Sequence, residues 1–552
     1  MKRIIILPVL FFLLGISDSV FAKDLSKFEW GLIPTNDTIV TGRHENAFVE
    51  FKGKFYLISG RGINPVNVYD PKTNLWEVKS KSPVEIHHFQ PVVYKDAIYL
   101  MGAMTGKYPK EQPLENIYIY YPEKDIWEKG PEIPENRRRG SAGTVIHRDK
   151  IYMFGGIQLG HTSGTCAWAD VYDLKTETWE ILPDAPHIRD HFPAVVVDGK
   201  VYCIGGRNTS YHEPDNFGAF FSATIKEVDC YDIDSKTWNT LEENIPVPTA
   251  AGGAVYFKNR IIYMGGESGQ KRAHNETQAL NPKTGKWELL APMDLGRHGT
   301  GAIVFEDKVY VAAGSGNMGG GNMQSIEVFA DDLNWKPLFN GKNLKGWSVK
   351  CLPGDKDKTF WEVVEGEIEC NSLEDGTHDY IWLYHGDEYS DFELRLKFQA
   401  FEESPGNSGV QIRSRYNKNL EAEGAYWLDG PQIDIHPPAP WRTGLIYDET
   451  WGEKRWIYPS LKNWEIDKSD TRHKTIFTKK EGEWNDLVVV CKGTRIQTFL
   501  NNIPVADFNG ERMLTNEAHI STNAGLKGHI ALQLHKNDKL KIRFKDIFIR
   551  EL

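Results

Sequence analysis

The sequence has little cysteine, no excess of positive charge and no apolar run long enough to cross a membrane. Its 552 residues include six cysteines, none in C-x-x-C spacing, which excludes a zinc framework built on paired cysteines. Asp and Glu number 76 against 65 Lys and Arg, for a net charge of −11, and an acidic chain is a poor partner for nucleic acid. We therefore expect neither nucleic-acid binding nor stable membrane insertion.

The cysteines also bear on disulfide formation. Cys203 and Cys230 fall on consecutive predicted strands and could pair in an oxidising compartment. Spacing alone does not bring their Cα atoms within disulfide reach. Buried free thiols are the interpretation that we favour.

The first 22 residues have the pattern of a secretory signal peptide. Met1, Lys2 and Arg3 form a charged start, residues 4–14 are apolar, and Ala22 ends a stretch suited to cleavage. The apolar run is too short to span a bilayer. No cysteine lies beside the cleavage position, which argues against a lipid anchor. We expect an exported bacterial protein, periplasmic or extracellular.

A tryptophan recurs about every fifty residues, at Trp76, Trp127, Trp179, Trp238 and Trp287. A hydrophobic run ending in a small-residue doublet precedes each return, at Ser59-Gly60, Met101-Gly102, Gly155-Gly156, Gly205-Gly206, Gly265-Gly266 and Ala313-Gly314. The doublet thus occurs six times and this tryptophan series five times. Trp30 lies before the first doublet, so an N-terminal strand is predicted to complete the last repeat and close a ring.

A second signature lies between doublet and tryptophan, as in Val68-Tyr69-Asp70 and Val171-Tyr172-Asp173. Four short strands per unit of about fifty residues are typical of kelch arrays. Residues 23–332 therefore resemble the kelch family of six-bladed β-propellers. The resemblance implies an all-β fold for this part of the chain.

Basic and imidazole side chains recur where each blade is predicted to begin. They are Arg43, His44, His88, Arg139, Arg189, His191, Arg297 and His298; residues 248–251 break the series. Expanded loops, such as residues 157–169 and 207–224, are predicted on the same face, and long loops on a rigid scaffold are frequent binding sites. We weigh a protein or glycan ligand at this face, held by charge-assisted hydrogen bonds, against a purely structural role.

A metal site is a further reading of this region. His187 and His191 suggest a site with Asp190, but in a predicted turn followed by a strand these residues need not share a face, and no further ligand is identifiable. Hydrogen-bonded structural histidines are the interpretation that we favour.

The fifty-residue period stops after Asp332, and residues 333–552 contain many short alternating strands. This pattern predicts a β-sandwich or jelly roll. Motifs from Phe339-Asn340-Gly341 to Leu532-Gln533-Leu534-His535 resemble the 3-keto-disaccharide hydrolase domain, a concanavalin-like sandwich. The chain is thus predicted to be all-β, a six-bladed propeller followed by a sandwich.

Strand alternation sorts the polar residues of this second domain onto one face. Residues two apart on a strand share a face, which predicts a polar groove that suits sugar hydroxyls. The candidate catalytic residues are Asp434, His436, His535 and Glu449, and the candidate substrate-binding residues are Asn407, Gln411, Arg413, Gln432, Gln533 and Trp382. The alternative is that these are the solvated faces of ordinary antiparallel strands.

The chemistry differs from that of ordinary glycosidases, which use two carboxyl groups. The strand Gln432-x-Asp434-x-His436 has an amide and an imidazole where glucanases of similar fold carry glutamates. The resemblance implies instead a 3-keto-glycoside or 3-keto-disaccharide, from which a base removes the C2 proton so that the C1 substituent is eliminated and water adds. His436 or His535 is the candidate base, and a divalent metal that polarises the ketone is left open as a cofactor.

Two other functions remain open from the sequence. The protein is then either a non-catalytic carbohydrate-binding protein or a sugar-acid epimerase whose site lies in the propeller. The leading hypothesis is a 3-keto-glycoside hydrolase or lyase with the propeller as a binding module.

Overall fold

The computed structural model describes residues 24–35, 40–402, 404, 406–417, 427–437, 441–452, 457–461, 465–469, 477–478 and 483–552. The expected signal peptide lies outside the described residues. None of the helices in the described ranges has the length and apolarity needed to cross a membrane.

The N-terminal domain is a ring of short strands. They are β1 (Glu29–Leu32), β2 (Ala47–Phe51), β3 (Lys54–Ile58), β4 (Pro65–Asp70), β5 (Leu75–Lys81), β6 (Val92–Tyr94), β7 (Ala97–Leu100), β8 (Met104–Thr105), β9 (Gln112–Pro113), β10 (Asn116–Tyr121), β11 (Ile126–Glu132), β12 (Gly143–His147), β13 (Lys150–Phe154), β14 (Ile157–Leu159), β15 (Ser163–Thr165), β16 (Ala169–Asp173), β17 (Thr178–Leu182), β18 (Ala194–Val197), β19 (Lys200–Cys203), β20 (Asp229–Asp232), β21 (Thr237–Thr240), β22 (Gly253–Phe257), β23 (Arg260–Met264), β24 (Thr277–Leu280), β25 (Trp287–Leu290), β26 (Ala302–Phe305), β27 (Lys308–Ala312) and β28 (Ile326–Ala330). A 3₁₀ turn, Leu25–Lys27, precedes β1, and two more, Glu135–Arg137 and Phe217–Ser222, lie between strands.

These strands form six antiparallel four-stranded blades. In chain order the blades are β2-β3-β4-β5, β6-β7-β10-β11, β12-β13-β16-β17, β18-β19-β20-β21, β22-β23-β24-β25 and β26-β27-β28-β1. The N-terminal strand completes the last blade, with Trp30 opposite Phe329. The predicted six-bladed propeller and its closure are confirmed.

The recurring tyrosine and tryptophan pack against each other in the first four blades. The Tyr69 and Trp76 ring centroids lie 5.1 Å apart, and the pairs Tyr120–Trp127, Tyr172–Trp179 and Tyr231–Trp238 repeat the contact at 4.9, 5.0 and 5.0 Å. The tyrosine lies on the third strand and the tryptophan on the fourth, directly opposite in register. Aromatic cross-strand pairs of this kind stabilise the outer edge of a sheet, which explains why the two signatures recur together.

All six cysteines are buried free thiols. Cys203 lies opposite Asp229 and Cys230 opposite Tyr202, so the two cysteines stand one register step apart on neighbouring strands. They therefore face opposite sides of the blade and enter different hydrophobic clusters. The preference for free thiols is confirmed.

The C-terminal domain contains the remaining strands. They are β29 (Lys336–Pro337), β30 (Trp347–Lys350), β31 (Trp361–Val364), β32 (Glu367–Asn371), β33 (Ile381–Tyr389), β34 (Phe392–Phe401), β35 (Ser408–Tyr416), β36 (Leu428–Asp429), β37 (Pro431–Ile435), β38 (Ile446–Asp448), β39 (Ile457–Tyr458), β40 (Phe477–Thr478), β41 (Asn485–Lys492), β42 (Arg495–Leu500), β43 (Ile503–Asn509), β44 (Gly528–Leu534) and β45 (Lys541–Glu551). A 3₁₀ turn, Pro353–Asp355, and one short helix, α1 (Glu517–Thr522), accompany them.

Two sheets enclose the core of this domain. One, the docked sheet, has the order β31-β32-β45-β34-β41-β42-β43, and the other, the cleft sheet, has the order β30-β33-β44-β35-β37-β38-β39. Alternate residues such as Leu394, Val489, Ile433 and Leu532 fill the space between the sheets. The predicted sandwich is confirmed, and each sheet keeps a second face outside the core.

The outer face of the docked sheet packs against the propeller. One buried cluster joins the two domains and consists of Leu32, Leu295, Met323, Val488, Val490 and Phe499. Beside it, the Glu393 carboxylate accepts the Leu32 N–H at 3.0 Å and pairs with Arg550 at 2.7 Å. Because the docked sheet meets the propeller, the outer face of the cleft sheet points away from it.

Candidate functional site

The outer face of the cleft sheet carries a polar cleft of about 320 Å³. Its lining residues are Tyr380, Gly406, Asn407, Gln432, Asp434, His436, Arg442, Tyr447, Glu449, His535 and Asp538. The volume lies at the lower end of the range for small-molecule sites. All four proposed catalytic residues and two of the proposed binding residues line it, and the sheet brings them together from several strands and loops.

Strand register explains how the floor of the cleft is built. Trp382, Gln533, Gly409 and Asp434 stand in one row across β33, β44, β35 and β37. A Cβ at Gly409 would come within 2.5 Å of the Gln432 side chain. Glycine at this position therefore leaves the space in which the Gln432 amide lies across the neighbouring strand.

Several buried amide groups in and under the floor lack partners. Within the described part of the chain, Asn407 Oδ1, Gln432 Oε1 and both amide atoms of Gln533 accept or donate no hydrogen bond. Buried polar atoms are nearly always hydrogen-bonded, to protein or to ordered water, so these atoms are candidates for hydrogen bonds to bound water or to a ligand. Amides supply both donors and acceptors, which suits sugar hydroxyls or bound water.

Asp434 is a buried carboxyl group at the centre of the cleft, 2% exposed. Gln432 Nε2 donates to Asp434 Oδ1 at 2.9 Å, and Arg442 Nε lies 3.5 Å from Asp434 Oδ2. Burial raises the pKa of Asp434, and the favourable charge of Arg442 offsets this only in part. Asp434 therefore holds a proton at a higher pH than an exposed aspartate does.

His535 lies at one side of the cleft, held through both ring nitrogens. Its Nδ1 lies 3.2 Å from the Lys536 carbonyl and 3.7 Å from Asp538 Oδ2, while its Nε2 lies 3.2 Å from the Tyr380 hydroxyl. Burial works against ionisation of Asp538, but His535 and the Asn407 N–H outweigh it and lower its pKa. An ionised carboxylate beside Nδ1 favours the tautomer in which Nε2 carries no proton and accepts from the Tyr380 hydroxyl.

His436 and Glu449 also line the cleft. The His436 N–H donates to Thr443 Oγ1 at 3.1 Å, which fixes the end of its strand. The Glu449 main chain is fixed on both sides, because its N–H donates to Gly430 at 3.0 Å and its carbonyl accepts from Trp427 Nε1 at 2.5 Å. His436 thus lies on the face that strand alternation predicts for it, and Glu449, proposed as a second acid or base, joins it from the end of β38.

Four of the proposed substrate-binding residues do not line the cleft: Gln411, Arg413, Gln533 and Trp382. Arg413 has φ 50° at a bulge between Gln411 and Ser414, which turns its side chain away from the outer face. Its guanidinium donates to the Ser390 and Gly493 carbonyls at 2.5 and 2.6 Å, so its role is structural. Gln411 and Gln533 are fully buried beneath the lining residues.

Trp382 is 1% exposed and offers no free surface to a sugar. Tyr380 stacks on it at 5.6 Å with an interplanar angle of 12°, and Trp427 meets it edge-on at 5.9 Å. Tyr380, not Trp382, presents its ring and hydroxyl to the cleft. The aromatic pair thus fixes a side chain that was not among the predicted site residues.

Five cleft residues were not predicted from the sequence: Gly406 and the side chains of Tyr380, Arg442, Tyr447 and Asp538. Tyr380 and Tyr447 lie on or next to strands whose alternation is visible, and Asp538 follows His535 by three residues. Arg442 replaces Arg413 as the guanidinium of the site. It lies in the turn after β37, where strand periodicity gives no signal.

The propeller arginines have structural roles, in contrast to the proposed ligand binding. Each side chain of Arg43, Arg139, Arg189 and Arg297 is at most 2% exposed. The guanidinium donates to the first carbonyl of the doublet in its own blade, as from Arg139 to Gly155 at 2.6 Å and from Arg189 to Gly205 at 3.0 Å. The recurring arginine is thus the donor, and the recurring doublet the acceptor, of the same hydrogen bond in these blades.

The fifth blade shows the same contact with another residue. Thr249 replaces the arginine, and its hydroxyl donates to the Gly265 carbonyl at 2.8 Å. The doublet also approaches the next blade closely, since a Cβ at Gly265, where φ is +67°, would lie 2.3 Å from the Arg297 carbonyl. The fifth blade therefore lacks the arginine but keeps a hydrogen bond to the first carbonyl of its doublet.

A ring of hydrogen bonds joins the six blades around the central channel. Two positions after each arginine site stands a residue with positive φ: Glu45, His88, Ser141, His191, Ala251 and Gly299. From His88 to Gly299, each N–H donates to the carbonyl of the preceding member, at 2.6–3.1 Å, and the Asn46 N–H closes the ring on Gly299. We call these six residues the neck ring.

The histidines of the face, unlike its arginines, point into the channel region. His88 and His191 belong to the neck ring, and His298 Nε2 lies 3.3 Å from Glu267. Burial lowers the pKa of both His88 and His191, with nearby positive charges adding to the effect. His44 lies at the edge, where its Nδ1 is 2.8 Å from Asn322 Oδ1.

His187 is not part of a metal site with His191. Its Nδ1 lies 2.9 Å from Asp229 Oδ1, whereas His191 lies in the neck ring. The structural interpretation of His187 is supported by this contact. The surroundings of His191 are different, because two further histidines lie beside it.

Fold and geometry together define a two-domain, all-β protein in which a six-bladed propeller is joined to a sandwich with a polar cleft on its outer face. Residues 334–550 match the family described as the 3-keto-alpha-glucoside-1,2-lyase-like domain, and residues 87–314 match a family of kelch-repeat domains named for KLHDC2, KLHL20 and DRC7. The chain thus contains a kelch-repeat domain and a 3-keto-disaccharide hydrolase domain.

Individual relatives share the kelch description. Kelch-like protein terF of Aspergillus terreus is 27% identical over 314 residues, covering 52% of this chain and 64% of that protein. Human Kelch-like protein 23 is 28% identical over 294 residues, covering 52% and 48%. The match therefore spans less than two thirds of the length of these relatives. The solved "Structure of YjhT" is 15% identical with a TM-score of 0.45, covering 53% of this chain and 95% of that one.

Proposed function

We propose that this is an exported carbohydrate-active protein whose C-terminal domain cleaves 3-keto-glycosides. The observation that carries the proposal is the cleft, where a histidine held by a carboxylate, a buried carboxyl group with a raised pKa and unpartnered amides line one space. The match of residues 334–550 to the 3-keto-alpha-glucoside-1,2-lyase-like family supports the substrate class.

His535 is the proposed general base. Its Nε2 takes the proton from C2 of the sugar, and the electron pair of that bond forms the C2=C3 enolate with charge on the ketone oxygen. Asp538 keeps the imidazole oriented through Nδ1 and stabilises the imidazolium that forms. A positioned base of this kind contributes about 10²–10⁴-fold to the rate.

Arg442 and Asp434 are proposed to act on the two oxygens that gain charge. The guanidinium of Arg442 stabilises the enolate oxygen, as preorganised donors do in acyl-transfer enzymes. Expulsion of the C1 oxygen substituent leaves a C1=C2 double bond, and Asp434, whose pKa burial raises, donates the proton to the leaving oxygen. Water then adds at C1 and a proton returns to C2, so that the net reaction is hydrolysis.

The propeller is proposed to act as a separate binding module. The cleft lies on the sheet that points away from the propeller, so the lining residues all come from the sandwich. We therefore expect the propeller to influence where the protein acts and not the chemistry of the cleft.

The test uses the full chain and a 3-keto-glucoside with a chromogenic leaving group. We expect release of the chromophore, exchange of the C2 proton with deuterated solvent, and a loss of about 10²-fold or more in kcat for His535→Ala. His529→Ala is the matched control, since His529 lies on the same strand but binds the His385 carbonyl at 3.0 Å outside the cleft.

Full activity in a variant that combines His535→Ala with Asp434→Asn would show that the cleft is not the active site. Saturable sugar binding by the wild type with no turnover and no C2 exchange would instead identify a non-catalytic carbohydrate-binding protein.

A further inference from the structure

Three histidines meet at the neck ring: two from the segments that enter the second and fourth blades, and one from a loop of the third blade. His88 and His191 flank Ser141 in the ring, and His161 reaches them from the turn between β14 and β15. The ring centroids lie 4.9–5.4 Å apart. Each imidazole offers one nitrogen, and these nitrogens lie within 4.8 Å of one another; among the described residues, this is the one such group of His, Cys, Asp or Glu.

A separate partner orients each imidazole through its Nδ1. His161 Nδ1 lies 3.1 Å from Glu111, His191 Nδ1 lies 2.5 Å from Asp190, and His88 Nδ1 lies 2.6 Å from His87 Nδ1. The Nε2 atom is then the nitrogen that faces a ligand on each ring, and a bound metal ion would replace the contacts of His191 Nε2 with Ser141 Oγ at 3.4 Å and of His88 Nε2 with Glu45 Oε2 at 3.5 Å. Metal-binding histidines characteristically hold a carboxylate or another acceptor at the second nitrogen.

The partners of these imidazoles are themselves fixed. Glu111 pairs with Arg61 at 2.7 Å, and Asp190 accepts hydrogen bonds from Thr165 at 2.6 Å and from the Thr209 hydroxyl. Two carboxylates are thus buried behind the imidazoles, where they compensate a positive charge bound between the three Nε2 atoms. Burial of two carboxylates costs free energy of folding, which packing of the imidazole rings alone would not offset.

The neck ring itself does not require histidine. Its other members include Ser141, Ala251 and Gly299, which make the same blade-to-blade hydrogen bond. His88 and His191 adopt φ values of 56° and 53°, and non-glycine residues in this region are uncommon. The histidines are therefore present for their side chains.

We propose that His88, His161 and His191 form a three-histidine site for a divalent transition-metal ion of the Zn²⁺ type. Zn–N bonds of about 2.0–2.1 Å require nitrogen separations of about 3.3 Å in a tetrahedral site, so each ring must move inward by less than about 1 Å. Glu45 Oε2, 3.5 Å from His88 Nε2, stands ready as a fourth ligand or as the partner of a bound water.

The site opens onto a cavity of about 170 Å³ along the channel, lined by Glu45, His88, Ser141 and His191 among others. Three protein ligands and one position left to water or an incoming anion are typical of a zinc site that is accessible to ligands. The proposed site is thus a second functional centre, distinct from the cleft of the sandwich and independent of its activity.

The test is metal binding by the full chain, with any affinity tag removed and bound metal stripped by a chelator. Titration with Co²⁺ is expected to give one equivalent with the visible absorption of a four-coordinate site, and dialysis against Zn²⁺ is expected to leave one ion per chain. His161→Ala is expected to weaken binding by more than the 10–100-fold that loss of an outer partner costs, and Glu111→Gln by about 10–100-fold.

His187→Ala is the matched control, because His187 lies four residues before His191 but contacts Asp229. It is expected to bind Co²⁺ like the wild type. A wild-type chain that retains no Zn²⁺ and shows no Co²⁺ spectrum overturns the proposal, and so does unchanged binding by His161→Ala. Because His161 lies on a loop outside the blades, its variant is expected to keep the far-ultraviolet circular dichroism and the glycoside activity of the wild type.

Discussion

Replacement of Arg139 by methionine separates a structural role of the blade arginines from a ligand-binding one. The Arg139 guanidinium donates to the Gly155, Met153 and Trp168 carbonyls at 2.6, 3.1 and 3.3 Å and pairs with Asp170 at 2.7 Å, with no exposed surface. Methionine fills a similar volume but satisfies none of these acceptors. Asp170 keeps its pair with Arg137 at 2.9 Å, so the loss comes from the buried carbonyls left without a donor, at about 1–3 kcal/mol for each group and about 3–5 kcal/mol together.

The assay is thermal unfolding of the full chain, followed by circular dichroism. For a domain of this size, about 1 kcal/mol corresponds to about 2 °C in Tm, so Arg139→Met is expected to lower Tm by about 6–10 °C. Arg138→Met is the control one residue away, since Arg138 is partly exposed and donates to the Ile133 carbonyl at 3.1 Å. We expect the control to change Tm by less than about 2 °C.

An Arg139→Met variant with wild-type Tm but weaker binding of a propeller ligand would refute this reasoning. Arg139 would then bind a ligand, and its hydrogen bonds to the doublet would contribute little to the stability of the propeller.

Three further predictions concern the sandwich. Gly409→Val is expected to abolish turnover of a 3-keto-glycoside with little change in the fold seen by circular dichroism, since a side chain there displaces Gln432; unchanged kcat/KM would contradict the proposed floor of the cleft. Burial raises the pKa of Asp429 to about 6 from 3.8, so the folded state binds more protons than the unfolded state between these values and stability falls as pH rises through them. Asp429→Asn should therefore raise Tm above about pH 6 and not below about pH 4, and an equal shift at both pH values would argue against it. Arg550→Met leaves the buried Glu393 without its cation and is expected to cost about 3–5 kcal/mol, measured as a lower midpoint in urea, whereas an unchanged midpoint would show that the domains are held by their apolar contacts alone.

Periodicity in the sequence was sufficient to predict the architecture of both domains. The tryptophan series predicts the blades because four of its five rings pack on a tyrosine of the adjacent strand, so that one local contact is repeated. Likewise, alternation along β37 places Gln432 and Asp434 outside and Ile433 inside, as the structure shows. These patterns depend on the strand period alone, which one sequence reveals.

The errors arise where the backbone departs from that period. Arg413 follows the alternation in sequence, but a bulge rotates it off the outer face. Arg442 lies in a turn, and Asp538 follows the end of β44, where no period applies. In these places the fold, and not the local pattern, decides which side chains meet.

The recurrent arginines show a different limit. A charged residue that repeats on one face of a ring has the pattern expected of a ligand-binding surface, yet each guanidinium ends on main-chain carbonyls of its own blade. Conversely, His161 occurs once, in a loop, and gives no signal until the fold brings it beside His88 and His191. A residue that recurs in every repeat can have a structural role in the repeat. A residue that occurs in one repeat only is a better candidate for a function specific to this protein.

The closing strand of the propeller has a consequence for how the chain is made. Residues 29–32 emerge early from the ribosome but must wait for residues 326–330 before they can pair. The seam that they form is then fastened from outside, since Trp335 Nε1 donates to the Trp30 carbonyl at 2.8 Å and Arg550 donates to the Leu32 carbonyl. These last contacts of the closing strand therefore form only after residue 550 has been synthesised, so completion of the propeller depends on pairings between distant parts of the sequence, which form slowly.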